Sequence, residues 1–251
     1  DYSGNGNCGT LVGFSLTGTT ANFTSGMMGT CNTVNPVSAI TGASTLCQGA
    51  TTTFASTTAS GIWTSSNGSV ATVGSTTGVV SGIAAGTATI SYSVCGITVT
   101  KAVSVTASPS VSAGSGVAIC TGNATTLTAS GATTYSWTPG TSLSASTGSS
   151  VTASPTITTT YTVTGTQSGC SNSATVSVTV NSYPSVSAGA DTAICIGTSG
   201  VLTASGATTY TWAPSTGLSA TTGASVVASP TVATTYTITG SMTGCSATAT
   251  K

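Results

Sequence analysis

Eight cysteines hold most of the side-chain chemistry open to this chain: Cys8, Cys31, Cys47, Cys95, Cys120, Cys170, Cys195 and Cys245. An even number of thiols in a chain this poor in charge points to disulfides formed in an oxidising compartment. The other ionisable side chains, tyrosines aside, are Asp1, Asp191, Lys101 and Lys251, with no Glu, Arg or His in 251 residues. A serine nucleophile would therefore lack a histidine base. Glycoside hydrolysis needs two neighbouring carboxylates, and the only two lie in different repeats. Disulfides would consume the thiolates that zinc requires, and calcium needs several carboxylates. No glycine-rich loop runs into a Lys-Ser/Thr pair and a helix. The expectation is a non-enzyme without cofactor or metal, in which both lysines are solvated.

Composition narrows the class further. Thr and Ser number 59 and 42, about 40% of the chain, while charged residues make up 2%. Thr is β-branched and suits a pleated strand, and its hydroxyl wets an outer sheet face without charge. A formal net charge of +0 gives no field toward nucleic acid or an anionic membrane. No run of eighteen apolar residues is present to span a bilayer as a helix. The chain opens at Asp1 without Met, which points to a processed mature form. A neutral surface is poorly protected against association, so either glycosylation or deliberate assembly is expected.

An internal repeat orders the cysteines. Shifted by 75 residues the chain matches itself: Cys120 falls on Cys195, Trp137 on Trp212, Tyr161 on Tyr236 and Cys170 on Cys245, with 41 identities in the 62 positions from Pro109 to Cys170. Residues 108–182 and 183–251 are two copies of one unit, 37–107 is a more distant third, and 1–36 is a separate N-terminal segment. Parsimony then pairs Cys47 with Cys95, Cys120 with Cys170, Cys195 with Cys245, and Cys8 with Cys31. Trp63, Trp137 and Trp212 each follow the first cysteine of their unit by 16 or 17 residues. That Cys-Trp-Cys spacing is the one in which a core tryptophan packs on an inter-sheet disulfide of an immunoglobulin-type sandwich. The fold class expected is all-β: tandem, disulfide-pinned Ig-like β-sandwiches. Strands are expected in Val73–Val80, Ala88–Val94, Thr159–Thr164 and Thr175–Val180.

Residues 37–107 resemble the bacterial Ig-like group 2 domain through Trp63-Thr64-Ser65-Ser66-Asn67, Val70-Ala71-Thr72-Val73, Thr77-Gly78-Val79-Val80-Ser81-Gly82 and Gly86-Thr87-Ala88-Thr89-Ile90. The later repeats are similar to Ig-like repeats of large secreted surface proteins of the Bacteroidota, through Tyr135-Ser136-Trp137-Thr138-Pro139, Ala153-Ser154-Pro155-Thr156 and Thr160-Tyr161-Thr162-Val163. These resemblances imply β-sandwiches that serve adhesion or fibre building at the cell surface.

The two ends suggest how copies meet. The second repeat continues past Cys170 through Val180, whereas its copy stops at Lys251, so an edge strand is about half missing. Val12, Phe14 and Leu16 alternate along one face of a strand candidate in the N-terminal segment. That strand from one subunit would complete the last sandwich of the next, against an acceptor edge at Ser246, Thr248 and Thr250. The function expected is a glycosylated structural subunit of an extracellular filament, with copies of itself and attached glycans as partners. The alternative is a stalk or ligand-binding region of an adhesin that meets cell-surface or host ligands. Glycosylation candidates are Thr192, within Asp191-Thr192-Ala193, and the sequon residues Asn22, Asn67 and Asn123.

Overall fold

A computed structural model describes residues 37–251, all of them in strands, turns and loops; no helix occurs among the described residues. The described chain falls into two compact units, one running up to Ser108 and including Gln167–Cys170, the other made of Pro109–Thr166 and Ser171–Lys251.

The first sandwich comprises β1 (Thr45–Cys47), β2 (Thr51–Thr53), β3 (Ile62–Ser65), β4 (Ala71–Val73), β5 (Val79–Gly82), β6 (Gly86–Val94) and β7 (Ile97–Thr106). One sheet has the order β1-β7-β6-β3 and the facing one β2-β5-β4; β1 runs parallel to β7 and the other pairs are antiparallel. Strict alternation along β6 puts Ala88, Ile90, Tyr92 and Val94 into the core and Thr89, Ser91 and Ser93 on the outer face. Phe54, Trp63, Val80, Val103 and Val105 close that core. The stretch Val73–Val80 is not one strand. It is a turn between β4 and β5, where Gly78 takes φ +70° and a Cβ would collide with the Phe54 carbonyl oxygen.

The second sandwich contains β8 (Val117–Cys120), β9 (Thr125–Thr128), β10 (Thr134–Thr138), β11 (Ser150–Ala153), β12 (Thr159–Gln167) and β13 (Cys170–Asn181). Its larger sheet has the order β10-β12-β13-β8 and its smaller one pairs β11 with β9. Trp137, Tyr161, Val163 and Val178 fill the core, and the Trp137 indole donates to the Gly148 carbonyl at 2.9 Å. Tyr161 is fully buried, yet its hydroxyl has no hydrogen-bond partner. Burial pushes its phenol above the ordinary tyrosine range; the nearby hydroxyls of Ser142 and Thr159 pull it partway back without closing a hydrogen bond.

The third sandwich repeats this plan with β14 (Gly200–Thr203), β15 (Thr209–Ala213), β16 (Ser225–Ala228), β17 (Thr237–Met242) and β18 (Cys245–Thr250). Trp212, Leu202, Val226, Tyr236 and Ile238 form its core. The sheets are β15-β17-β18 and β14-β16, so no strand takes the place that β8 holds in the preceding repeat.

The disulfides overturn the pairing expected from parsimony. Cys47 bonds Cys170 and Cys120 bonds Cys245, across separations of 123 and 125 residues. The first cysteine of each repeat therefore joins the second cysteine of the following one. The expected Cys47–Cys95, Cys120–Cys170 and Cys195–Cys245 pairs do not form. The reason is placement: the first cysteine ends the strand parallel to the last strand of its own sandwich, beside Thr106 or Asn181. The second cysteine opens the last strand, at the hairpin end of its sandwich. The two cysteines of one repeat thus stand a strand length apart, while disulfide geometry allows about 4.4–6.8 Å between Cα atoms. The bonds observed meet that condition at 5.6 and 5.7 Å. The three tryptophans are buried among apolar side chains, with no disulfide crossing between the sheets of a single sandwich.

The lysines also differ from expectation. Lys101 donates to the Gly42 carbonyl at 2.7 Å and lies 5.4 Å from the centroid of the Phe54 ring. Lys251 donates to the carbonyls of Ala188 and Ala190 at 3.0 and 2.6 Å. Each ammonium satisfies backbone carbonyls instead of being simply solvated.

Candidate functional site

The second sandwich shows what a finished edge looks like. In β13, Val176, Val178 and Val180 face inward at period two. The end of β13 lies parallel to β8 in the register Val178↔Val117, Val180↔Ile119 and Asn181↔Cys120. Ile119 is 8% exposed under this cover.

In the third sandwich that strand stops short. β18 ends at Thr250, and Lys251 exchanges two backbone hydrogen bonds with Tyr236, at 2.7 and 2.9 Å. The counterparts of Ser177–Asn181 would be residues 252–256, beyond the last residue of the sequence. Residues 191–195, the counterpart of the β8 region, are not in a strand. Among the described residues no backbone–backbone hydrogen bond engages residues 192–194 or 232–235. Ile194 stands where Ile119 stands in the preceding repeat, but it is only half-buried.

A groove of about 540 Å³ lies between these two unpaired edges, lined by Thr192, Ile194, Val232, Thr234, Tyr236 and Lys251 among others. It occupies the position of the last five residues of β13. Its walls present backbone N–H and C=O groups along both sides and the apolar face of Ile194 at the base. Such a groove is suited to accept one extended strand, parallel to 192–195 and antiparallel to 232–236, as β13 is to β8 and β12.

The expected acceptor residues Ser246, Thr248 and Thr250 are elsewhere. They point outward from β18 and face Ser241, Thr239 and Thr237 of β17. The open slot begins beyond them. It was visible in the repeat itself, since Val178 and Val180 have no counterparts 75 residues on and Ile119 matches Ile194. The donor candidates Val12, Phe14 and Leu16 lie outside the described residues, as do Cys8, Cys31 and Asn22. Asn67, Asn123 and Thr192 are exposed, and the Asn67 amide oxygen accepts from the Ser69 amide at 3.1 Å and the Ser69 hydroxyl at 2.6 Å. Tyr135 and Tyr210 are inner residues whose hydroxyls each bridge one turn: each accepts from and donates to the backbone of Ala132 or Ala207, all at 2.7 Å. Among the described residues no group of His, Cys, Asp and Glu could hold a metal ion.

Residues 30–107 match the family model of the bacterial Ig-like domain, group 2. No curated protein matches the chain. Among solved structures it is similar to extracellular domains 3–5 of Drosophila OTK, at 11% identity and TM-score 0.40, over 85% of this chain and 94% of that one. It is also similar to three immunoglobulin domains of titin, at 14% identity and TM-score 0.33, over 82% and 93% of the two chains. A third is domains 4 and 5 of the S-layer protein SbsC, at 19% identity and TM-score 0.26, over 51% and 82%. The architecture is thus all-β, with tandem Ig-like sandwiches and a group 2 bacterial Ig-like match in the first.

Proposed function

We propose that this protein is a structural subunit of an extracellular filament, joined head to tail by strand donation. The observation that carries the reading is the groove left by residues 252–256, between two backbone edges without partners. The proposed occupant is the Val12–Leu16 strand of a second copy. Its alternation matches the inward positions of β13, so two of its three apolar residues take the places of Val178 and Val180. Burying two such side chains contributes about 3–6 kcal/mol before the cost of association, and the new main-chain hydrogen bonds satisfy both edges. A contact between unlike surfaces that does not close on itself propagates as an open filament. Cysteine usage and a hydroxyl-rich neutral surface support an extracellular location and glycans at Thr192 and the sequon asparagines.

Electron microscopy and proteolysis test this together. The wild-type chain is expected to form filaments in which residues 10–17 resist protease, and a Val12→Thr/Phe14→Thr/Leu16→Thr variant should remain dispersed while keeping its thermal transitions. A synthetic peptide of residues 10–17 should raise the melting point of the variant's third sandwich. Filaments that persist in the triple variant, or residues 10–17 found paired only within their own chain, would overturn the reading. So would polypeptide continuing past Lys251 and filling the slot in cis.

A further inference from the structure

The disulfides form a ladder with an open end. Cys47 and Cys120 hold equivalent places, each facing the last strand residue of its own sandwich, Thr106 and Asn181 respectively. Each bonds a cysteine 64 residues beyond that strand residue, Cys170 and Cys245. Cys195 is the third member of the series. It is exposed, has no disulfide among the described residues, and stands at the end of the empty groove. Two internal copies of the same position, both already bonded to a cysteine of the following repeat, are the independent sign that this thiol is a joint.

We infer that Cys195 forms an intermolecular disulfide with Cys31 of the subunit that donates the strand. This rests on the strand-donation reading for the direction of the incoming chain. The donor runs parallel to 192–195, so the residue opposite Cys195 is the one following its last inward residue, as Asn181 follows Val180. Cys8 then lies at least seven residues back along an extended strand, about 23 Å away, while a disulfide allows about 7 Å between Cα atoms. The ladder also places each mate after the strand in sequence. Cys95 does not present the mate's geometry: it takes φ 48° at the tip position held by Ser168 (φ 52°) and Thr243 (φ 49°), and Ile97 stands where Cys170 and Cys245 stand. Cys31 comes after the donor strand with enough intervening chain to fold back. The reaction joins the two sulfurs as both thiols lose hydrogen. A disulfide-bearing oxidant accepts the two electrons and two protons and leaves as a dithiol.

The test is electrophoresis of assembled protein boiled in detergent with iodoacetamide present throughout, followed by peptide mapping. A covalent multimer ladder is expected without reductant, collapsing to monomer with dithiothreitol and in Cys195→Ser, and the linked peptides should join Cys195 to Cys31. Cys195→Ser should still form filaments, now dissociated by detergent. Filaments that yield only monomer without reductant, or a mapped mate other than Cys31, would overturn the disulfide while leaving strand donation standing. A Cys195–Cys31 link in protein that forms no filaments would sink strand donation instead, and with it the directional argument for the mate.

Discussion

Single residues in this chain act mainly by filling and satisfying the cores. Tyr161 is the exception, a fully buried phenol without a hydrogen-bond partner, while its repeat counterpart Tyr236 donates to the Thr216 carbonyl at 2.8 Å. Its folded-state pKa is raised by desolvation, so folding holds the proton on. That contribution is complete below the unfolded tyrosine value of about 10 and is lost as pH rises above it. Tyr161→Phe should therefore change stability by less than about 1 kcal/mol at pH 7 and flatten the alkaline loss of the second sandwich, as read by melting curves from pH 7 to 11. A wild-type curve that stays flat through that range would refute the assignment. Gly131 is constrained more strongly: at φ +90° a Cβ would lie 1.8 Å from the Ser110 carbonyl oxygen. Gly131→Ala should destabilise its sandwich by at least about 2 kcal/mol in denaturant titration. At this scale the sequence was readable for the tryptophans, because a large aromatic recurring at fixed spacing announces a core. It was unreadable for Lys251, whose carbonyl partners Ala188 and Ala190 lie 63 and 61 residues away.

Elements follow from period two and turn chemistry. Alternation identified β6, β12 and β13 because one face is buried and the other carries Thr and Ser. The stretch Val73–Val80 misled because Gly74 and Gly78 turn the chain inside a β-branched run. The acceptor edge was misplaced for a related reason. A missing strand end was legible from the repeat, but which neighbours it leaves unpaired depends on the parallel β8–β13 register, which only the fold reveals. Ile194 is the residue that should feel the donor most, being half-buried where Ile119 is buried. Ile194→Ser should alter the free chain's stability little and weaken uptake of a residue 10–17 peptide at least about tenfold, measured by titration calorimetry. Unchanged affinity would mean that the strand does not cover this side chain.

For the whole molecule, the staggered disulfides change what a cysteine bond does. A bond within one sandwich would restrain only that sandwich when it unfolds. Cys120 instead sits beside Asn181, the end of its own β13, and holds Cys245 in the next sandwich. When the third sandwich unfolds while the second stays folded, the bond closes a loop of about 64 residues, the separation of Asn181 and Cys245. In the chain-entropy model such a loop contributes up to about 4 kcal/mol. The parsimonious pairing missed this because repeats invite each unit to be read as self-contained, whereas the cysteine positions are set by the joints between units. Cys120→Ser/Cys245→Ser should therefore lower the stability of the third sandwich by roughly 2–4 kcal/mol, seen in calorimetry as one transition moving to lower temperature. Asn181, whose side chain donates to the Thr243 carbonyl at 2.7 Å, would remain as a much weaker tie. Cys47→Ser/Cys170→Ser should leave the third transition in place and move those of the earlier sandwiches. If instead both pairs of substitutions shift every transition alike, the sandwiches unfold as one cooperative body and the bonds restrain the whole chain, not the joint each one spans.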